Sequence, residues 1–154
     1  MPEAWRIIKA QHAVSAFSGR GAAEYGGRWN SRSVAVVYAS QAKSLAVLES
    51  LVHLNPPVPF RYTAFHLEFP AACMERFPLA QLPTDWRTEP PPPATQQIGD
   101  QWVRAARSAV LALPSVIIPS EANYLLNPAH PDFTKIIIGP PEPFAFDPRL
   151  LNRR

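Results

Sequence analysis

Proline is the residue that most constrains how this chain can fold. It accounts for 19 of the 154 residues, about 12%, against an average near 5%. Proline fixes one backbone dihedral and has no amide hydrogen, so it interrupts helices and central strands. Many of the prolines cluster at 56–59, 90–93 and 140–141, and others occur singly, among them those at 114, 119, 128 and 131. Because they separate short apolar segments, the sequence predicts short strands with rigid connections rather than a long helical bundle.

Residues 26–53 combine a glycine turn, a strand and a helix. The run 34–39 is short, apolar and rich in β-branched residues, which predicts a buried strand. Ser40 follows at a position where its side-chain oxygen could cap a helix. From 41 to 53 the apolar residues recur at helical spacing and predict an amphipathic helix.

Three polar side chains frame this segment: Arg28 before the strand, Tyr38 at its end and Glu49 at the edge of the helix's apolar face. A strand end that feeds a helix is a common place for a ligand in α/β folds, so the three define a candidate site. Each also has an ordinary interpretation. A helix-edge glutamate is usually solvated, a strand-end tyrosine usually lies at the rim of a core, and an arginine after glycines can be a surface charge.

The remaining segments predict an α+β fold. Further strands are expected at residues 5–8, 62–69, 109–113, 116–118 and 135–138, a second helix at 95–108, and a turn-rich loop at 123–133. No internal repeat is present. The pattern predicts a single domain over residues 1–154, with a mixed β-sheet core of short strands and few helices.

Composition narrows the classes of function. The net charge is +3, and no basic block exceeds the terminal Arg153-Arg154 pair, so the charge favours an anionic small molecule at least as much as nucleic acid. The lone cysteine, Cys73, excludes an intrachain disulfide, and the four histidines lack zinc-site spacing, so no metal is expected. Without a secretory signal or a membrane-length apolar run, the expected location is the cytoplasm.

Three stretches together resemble a known family. They are GAAEYGGRWNSRSVAVVYASQAKSLAVLE (21–49), LPSVIIPSEANYLLNPAHPDF (113–133) and EPFAFDPRL (142–150). In this order they closely resemble the RES domain family, which is named after an arginine, a glutamate and a serine. Arg28 matches the family arginine and Glu49 its glutamate. Ser115 is the better match for the serine, and Ser120 is the alternative.

The resemblance extends to two more residues and to function. Tyr38 matches the family's active-site tyrosine, and Arg6 resembles an N-terminal arginine that lines the pocket. The family implies an ADP-ribosyltransferase-like fold and the toxin of a bacterial type II toxin–antitoxin system. Such a toxin consumes NAD by cleaving the nicotinamide–ribose bond, as a glycohydrolase or a phosphorylase, and causes growth arrest. The implied partner is an Xre-type helix-turn-helix antitoxin. A homodimer is a further expectation, whereas direct contact with nucleic acid or membrane is not expected.

The chemistry of the matched residues fits this reaction. Arginines such as Arg28 and Arg6 bind pyrophosphate oxygens bidentately. The carboxylate of Glu49 can stabilise an oxocarbenium-like transition state. Tyr38 could stack on nicotinamide or hold the ribose, and Ser115 could hydrogen-bond an amide or phosphate oxygen. NAD is then a substrate rather than a cofactor, with inorganic phosphate as a candidate co-substrate.

Three other functions remain open from the sequence. A protein mono-ADP-ribosyltransferase would use NAD as donor through the same residues. A non-catalytic binding module would keep the fold and tolerate loss of Glu49. A nuclease toxin would need a basic groove, which the modest charge disfavours.

Overall fold

The computed structural model describes residues 1–53 and 61–151, and its described part is organised around an eight-stranded sheet. The strands are β1 (Glu3–Lys9), β2 (Val37–Ser40), β3 (Tyr62–Glu68), β4 (Met74–Arg76), β5 (Val110–Pro114), β6 (Ala122–Leu126), β7 (Ile137–Ile138) and β8 (Glu142–Phe144). Their order is β4-β5-β6-β2-β1-β3-β7, and β8 also pairs with β3. The β4–β5 pair is parallel and the other pairs are antiparallel. The predicted mixed sheet of short strands is confirmed.

The helices are few and short, as expected. They are α1 (Arg20–Tyr25), α2 (Lys43–Val52), α3 (Pro93–Ala105) and α4 (Pro148–Leu151). Proline at the first position of α3 is favourable, because the first helical amide would have no intrahelical partner in any case. Within the described ranges, no helix has the length and apolar character needed to cross a membrane.

The centre of the sheet is buried on both faces. Along β5 the residues alternate between two hydrophobic clusters: Val110 and Ala112 join the cluster around Leu67, Phe69 and Leu126. Leu111 and Leu113 join the cluster on the opposite face, around Trp29 and Trp102. Burial on both faces explains why central strands show apolar runs rather than strict alternation.

Several predicted elements are wrong in detail. Ser40 does not cap a helix, because it is the last residue of β2 and α2 begins only at Lys43. Residues 116–118 form a turn instead of a strand, since the Ser115 hydroxyl accepts hydrogen bonds from the amides of Ile117 and Ile118.

The segment predicted as a loop at 123–133 begins instead with a central strand, β6, which pairs with both β2 and β5. Its residues Tyr124, Leu125 and Leu126 are buried, so burial outweighs the turn-forming residues that follow. The strand predicted at 135–138 is reduced to β7 at an exposed edge. The proline cluster at 56–59 and the Arg153-Arg154 pair lie outside the described residues.

Candidate active site

The candidate site lies where β1 and β2 separate. The two strands pair at Trp5 and Ser40, and the Arg6 side chain fills the opening next to that pair. Its Nη1 donates to the Tyr38 carbonyl oxygen and its Nε to the Ala16 carbonyl oxygen, both at 2.8 Å. The guanidinium thus replaces the backbone donor that a continuous sheet would offer to Tyr38.

Arg6 keeps its charge in this position. Burial lowers its pKa to about 10 by desolvating the guanidinium, so the group remains protonated at neutral pH. Among residues 1–53 and 61–151, no carboxylate forms an ion pair with Arg6 and no acceptor is found for its Nη2. A partly buried cation without a protein counter-ion favours an anionic ligand.

The hydroxyl of Tyr38 is engaged by the protein. It donates to Asn30 Oδ1 at 2.6 Å and accepts from the Trp29 amide at 3.2 Å. The Asn30 amide cannot turn, because its Nδ2 donates to three backbone carbonyl oxygens. Burial raises the pKa of Tyr38 well above its usual range, although the Trp29 amide and the Arg28 charge oppose the shift. Tyr38 is therefore a neutral phenol whose ring face, rather than its proton, is what it can offer a ligand.

Gly27 is required by this arrangement. A Cβ at this position would lie 2.6 Å from the Tyr38 hydroxyl oxygen and 3.0 Å from Asn30 Oδ1. Only glycine leaves room for the hydroxyl to reach the asparagine. The close packing of Tyr38 and Asn30 thus explains why the second residue of the GGRWN motif is glycine.

Glu49 extends from α2 towards β6 and the turn at 115–118. Its Oε1 accepts from Ser115 Oγ at 2.6 Å and from Asn123 Nδ2 at 2.8 Å. Its Oε2 has no hydrogen-bond partner in the part of the chain that the structure describes. The carboxylate is thus held through one oxygen, and the other is available to a ligand.

Hydrogen bonds connect Glu49 back to the strand that carries Tyr38. Asn123 Oδ1 accepts from Ser40 Oγ at 2.7 Å, and Ser40 lies two residues after Tyr38, on the same face of β2. The structure thus brings Arg6, Tyr38, Glu49 and Ser115 into one contiguous region.

The two candidate serines differ sharply. Ser115 is fully buried and bonded to Glu49, whereas Ser120 is exposed and takes part in none of the described hydrogen bonds. The geometry therefore favours Ser115 as the serine that belongs with Glu49.

Arg28 makes protein contacts that the sequence did not predict. Its Nη1 donates to the carbonyl oxygens of Trp86 and Thr88 at 2.9 and 2.8 Å, and its Nη2 is paired with the Glu89 carboxylate. The Arg28 side chain is only 11% exposed. In this structure its guanidinium holds the loop at 86–89 that precedes α3, and its role in binding phosphate stays a prediction.

We expect Arg28→Lys to release this loop. Lysine lacks the planar fork that meets several acceptors at once, and each lost hydrogen bond is worth about 0.5–1.5 kcal/mol. Trypsin cleavage after the exposed Arg87 should therefore accelerate by about 10-fold, measured by mass spectrometry of timed digests. Arg20→Lys, on exposed α1, is the matched control. Unchanged cleavage together with weaker NAD binding would assign the Arg28 guanidinium to the ligand instead.

Two residues of the site, Asn30 and Asn123, were not predicted from the sequence to be site residues. Asn30 and Asn123 lie in the GGRWN and NYLLNP motifs, but a single asparagine has no periodicity that reveals its partner. Only their inclusion in the motifs that carry the resemblance singled them out. Within the described residues, no three His, Cys, Asp or Glu side chains are grouped to hold a metal ion.

Comparison with known proteins identifies the family. The RES domain family matches residues 3–147. The chain belongs to the RES domain family. The resemblance seen in the sequence motifs is thereby confirmed.

Relatives of this RES domain match it over nearly their whole length. "Toxin Res" of Yersinia enterocolitica is 37% identical over 148 residues, which cover 95% of this chain and 97% of the relative. "Prs ADP-ribosylating toxin" of Sphingobium sp. is 38% identical over 155 residues, which cover 97% and 96%. "Toxin Res" of Pseudomonas putida is 35% identical over 152 residues, which cover 95% and 97%.

A solved structure shares the fold of this RES domain. A chain in the crystal structure of the M. tuberculosis MbcT-MbcA toxin–antitoxin complex matches with a TM-score of 0.72 and 14% sequence identity. The match covers 97% of this chain and 86% of the other. At this level of identity the similarity establishes the fold.

Proposed function

We propose that this RES domain is the toxin of a bacterial type II toxin–antitoxin system and that it consumes NAD by cleaving the nicotinamide–ribose bond. Its relatives are named as toxins, and one of them as an ADP-ribosylating toxin. The observation that carries the proposal is the site geometry. Arg6, which is charged and has no carboxylate partner among the described residues, donates to the Tyr38 carbonyl oxygen. The hydrogen bonds that join Ser40 of the same strand to Glu49 leave one oxygen of that carboxylate available.

Two kinds of contact bind NAD, a charged contact to its pyrophosphate and a stacking contact to its nicotinamide. Arg6 meets the pyrophosphate through its unbonded Nη2, since guanidinium groups match phosphate oxygens. Tyr38 presents its ring to the nicotinamide, because its hydroxyl is already bonded to Asn30 and Trp29. Arg28 contributes indirectly, by holding the loop at 86–89, or directly if that loop opens.

The cleavage step needs electrostatic stabilisation more than proton transfer. The bond between the ribose C1 and the nicotinamide nitrogen breaks, both bonding electrons leave with the ring, and nicotinamide departs neutral. The ribose becomes an oxocarbenium-like cation, which the free oxygen of the Glu49 carboxylate stabilises. Attack by water gives ADP-ribose and a proton, and attack by inorganic phosphate gives ADP-ribose 1-phosphate. NAD and phosphate are substrates in this scheme, which uses no resident cofactor.

The test is to incubate the purified protein with NAD, with and without inorganic phosphate, and to analyse the products. Free nicotinamide with ADP-ribose identifies a glycohydrolase, and a phosphate-dependent ADP-ribose phosphate identifies a phosphorylase. Intact NAD under both conditions would overturn the proposal and leave two functions, a transferase that requires a protein acceptor and a non-catalytic binding module.

A second candidate is protein mono-ADP-ribosyl transfer, which the name of the Sphingobium relative favours. It would use the same cleavage step with a side chain as acceptor. Incubation of the protein and cell lysate with labelled NAD separates the two functions, because only transfer places the label on protein.

We propose an Xre-type antitoxin as partner and the cytoplasm, where cellular NAD is found, as the place of action. A self-associated dimer of this RES domain is part of the same proposal, and light scattering would measure it. The solved structure with the same fold is a toxin–antitoxin complex, which supports a dedicated partner.

We expect the C-terminal segment of the antitoxin to cover the site, with its terminal carboxylate against Arg6 or Arg28. A saturating unreactive NAD analogue, or Arg6→Ala, should then weaken antitoxin binding by at least about 10-fold, measured by calorimetry, because an ion pair to a desolvated guanidinium is lost. Arg20→Ala is the surface control. Antitoxin affinity that responds to neither change would place the inhibitory contact elsewhere on the surface.

A further inference from the structure

We infer that Asn123 is the positioning residue that orients Glu49 for the reaction, and that Ser40 in turn orients Asn123. The inference rests on the proposed function and gives both residues a role in the reaction. Its basis is the direction of each hydrogen bond around the Glu49 carboxylate.

The Ser115 hydroxyl has no remaining capacity for a substrate. A hydroxyl carries one proton and two lone pairs. Its oxygen accepts from the amides of Ile117 and Ile118, each at 3.1 Å. The proton is then directed to Glu49 Oε1 at 2.6 Å. Ser115 is thus a second support for Glu49 rather than a group that contacts NAD.

The orientation of the Asn123 amide follows from its neighbours. Glu49 Oε1 is an acceptor, as its bond from the Ser115 hydroxyl shows, so the NH₂ group of Asn123 faces Oε1 and its carbonyl faces Ser40. The reversed amide would set two acceptors against each other at 2.8 Å. With the amide in this orientation, the Ser40 hydroxyl donates to Asn123 Oδ1 at 2.7 Å and so holds the side chain in place.

The two donors fix the plane of the carboxylate. With Oε1 bonded to both Asn123 and Ser115, rotation of Glu49 is blocked and Oε2 keeps one direction. Without Asn123, the carboxylate has a single bond and can turn about it. Preorganised charge stabilises a transition state better than charge that must first reorient.

The Asn123 side chain is dispensable for the sheet. Its backbone lies in β6 between Ser40 of β2 and Leu113 of β5. The backbone pairing on both sides does not involve the side-chain amide of Asn123. Variants at this position should therefore fold.

The test compares Asn123→Asp, Asn123→Ala and Ser40→Ala in the purified protein, with kcat and KM for NAD cleavage. Aspartate has the shape of asparagine but no donor, and it places a second carboxylate beside Glu49. We expect kcat to fall about 100-fold for Asn123→Asp, about 10-fold for Asn123→Ala and a few-fold for Ser40→Ala. KM should change less than about 2-fold, and each unfolding temperature should stay close to that of the wild type.

The kcat values and unfolding temperatures of these variants show whether Asn123 positions Glu49 or only fills space. If Asn123 only fills space, Asn123→Ala should lower the unfolding temperature while kcat stays close to that of the wild type, which would overturn the inference while leaving the proposed function intact. A rise in KM that accounts for the loss of activity would overturn it too, since Asn123 would then contact NAD. A wild-type protein that leaves NAD intact would overturn the proposed function and this inference with it.

Discussion

Replacing Glu49 with glutamine is expected to lower kcat for NAD cleavage by about 10²- to 10³-fold, the loss typical of one electrostatic contact to a transition state. Glutamine can keep its carbonyl oxygen where Oε1 accepts from Ser115 and Asn123. Its NH₂ group then replaces the free oxygen, so the negative charge is lost and the supporting bonds remain. Nicotinamide release measures kcat, and the unfolding temperature checks that the fold is unchanged.

The matched control for this change is Glu24→Gln, because Glu24 lies exposed on α1. It should cleave NAD like the wild type. In cells without antitoxin, the wild type and Glu24→Gln should deplete NAD and arrest growth, and Glu49→Gln should do neither. A fully active Glu49→Gln protein would show that the Glu49 charge has no part in cleavage. Arrest with normal NAD levels would point to another target.

Replacing Gly99 with alanine is expected to destabilise the protein by about 3 kcal/mol or more, the upper range for overpacking. Helix α3 lies directly on the segment 27–31, and a Cβ at Gly99 would be 1.6 Å from the Trp29 carbonyl oxygen. The obstacle is backbone, so the helix itself must move. Denaturant unfolding measures the loss.

The same displacement should reach the candidate site. Gln96 donates to the Gly27 carbonyl oxygen, and Asp100 accepts from the amide and hydroxyl of Ser31. Moving α3 breaks these bonds and shifts the Trp29 amide that supports Tyr38, so NAD cleavage should fall as well. The control is Gly21→Ala in α1, where a Cβ meets nothing within 4 Å. Its stability should change by less than about 1 kcal/mol. Equal stability of the two alanine variants would refute the close contact of α3 with Trp29.

The sequence by itself determined the fold class and the family. Prolines between short apolar runs excluded long helices, and the strands at 62–69 and 109–113 follow from local composition. The motifs GGRWN and NYLLNP identified the RES domain, whose membership is confirmed. Of the residues matched to the family, Arg6, Tyr38, Glu49 and Ser115 lie in one region of the structure, and Arg28 is bonded to the loop at 86–89. The roles of all five in binding and catalysis stay predictions.

Only the tertiary structure decided which groups act on one another. Ser115 and Asn123 meet Glu49 across 66 and 74 residues of chain, and Arg28 meets the loop at 86–89 across about 60. Periodicity reports which face of an element is buried, but a hydrogen bond depends on where separate elements lie and on which atoms remain unsatisfied. The sequence therefore located Glu49 at the edge of the apolar face of a helix. The packing of α2 against the sheet leaves one of its oxygens bound and the other available.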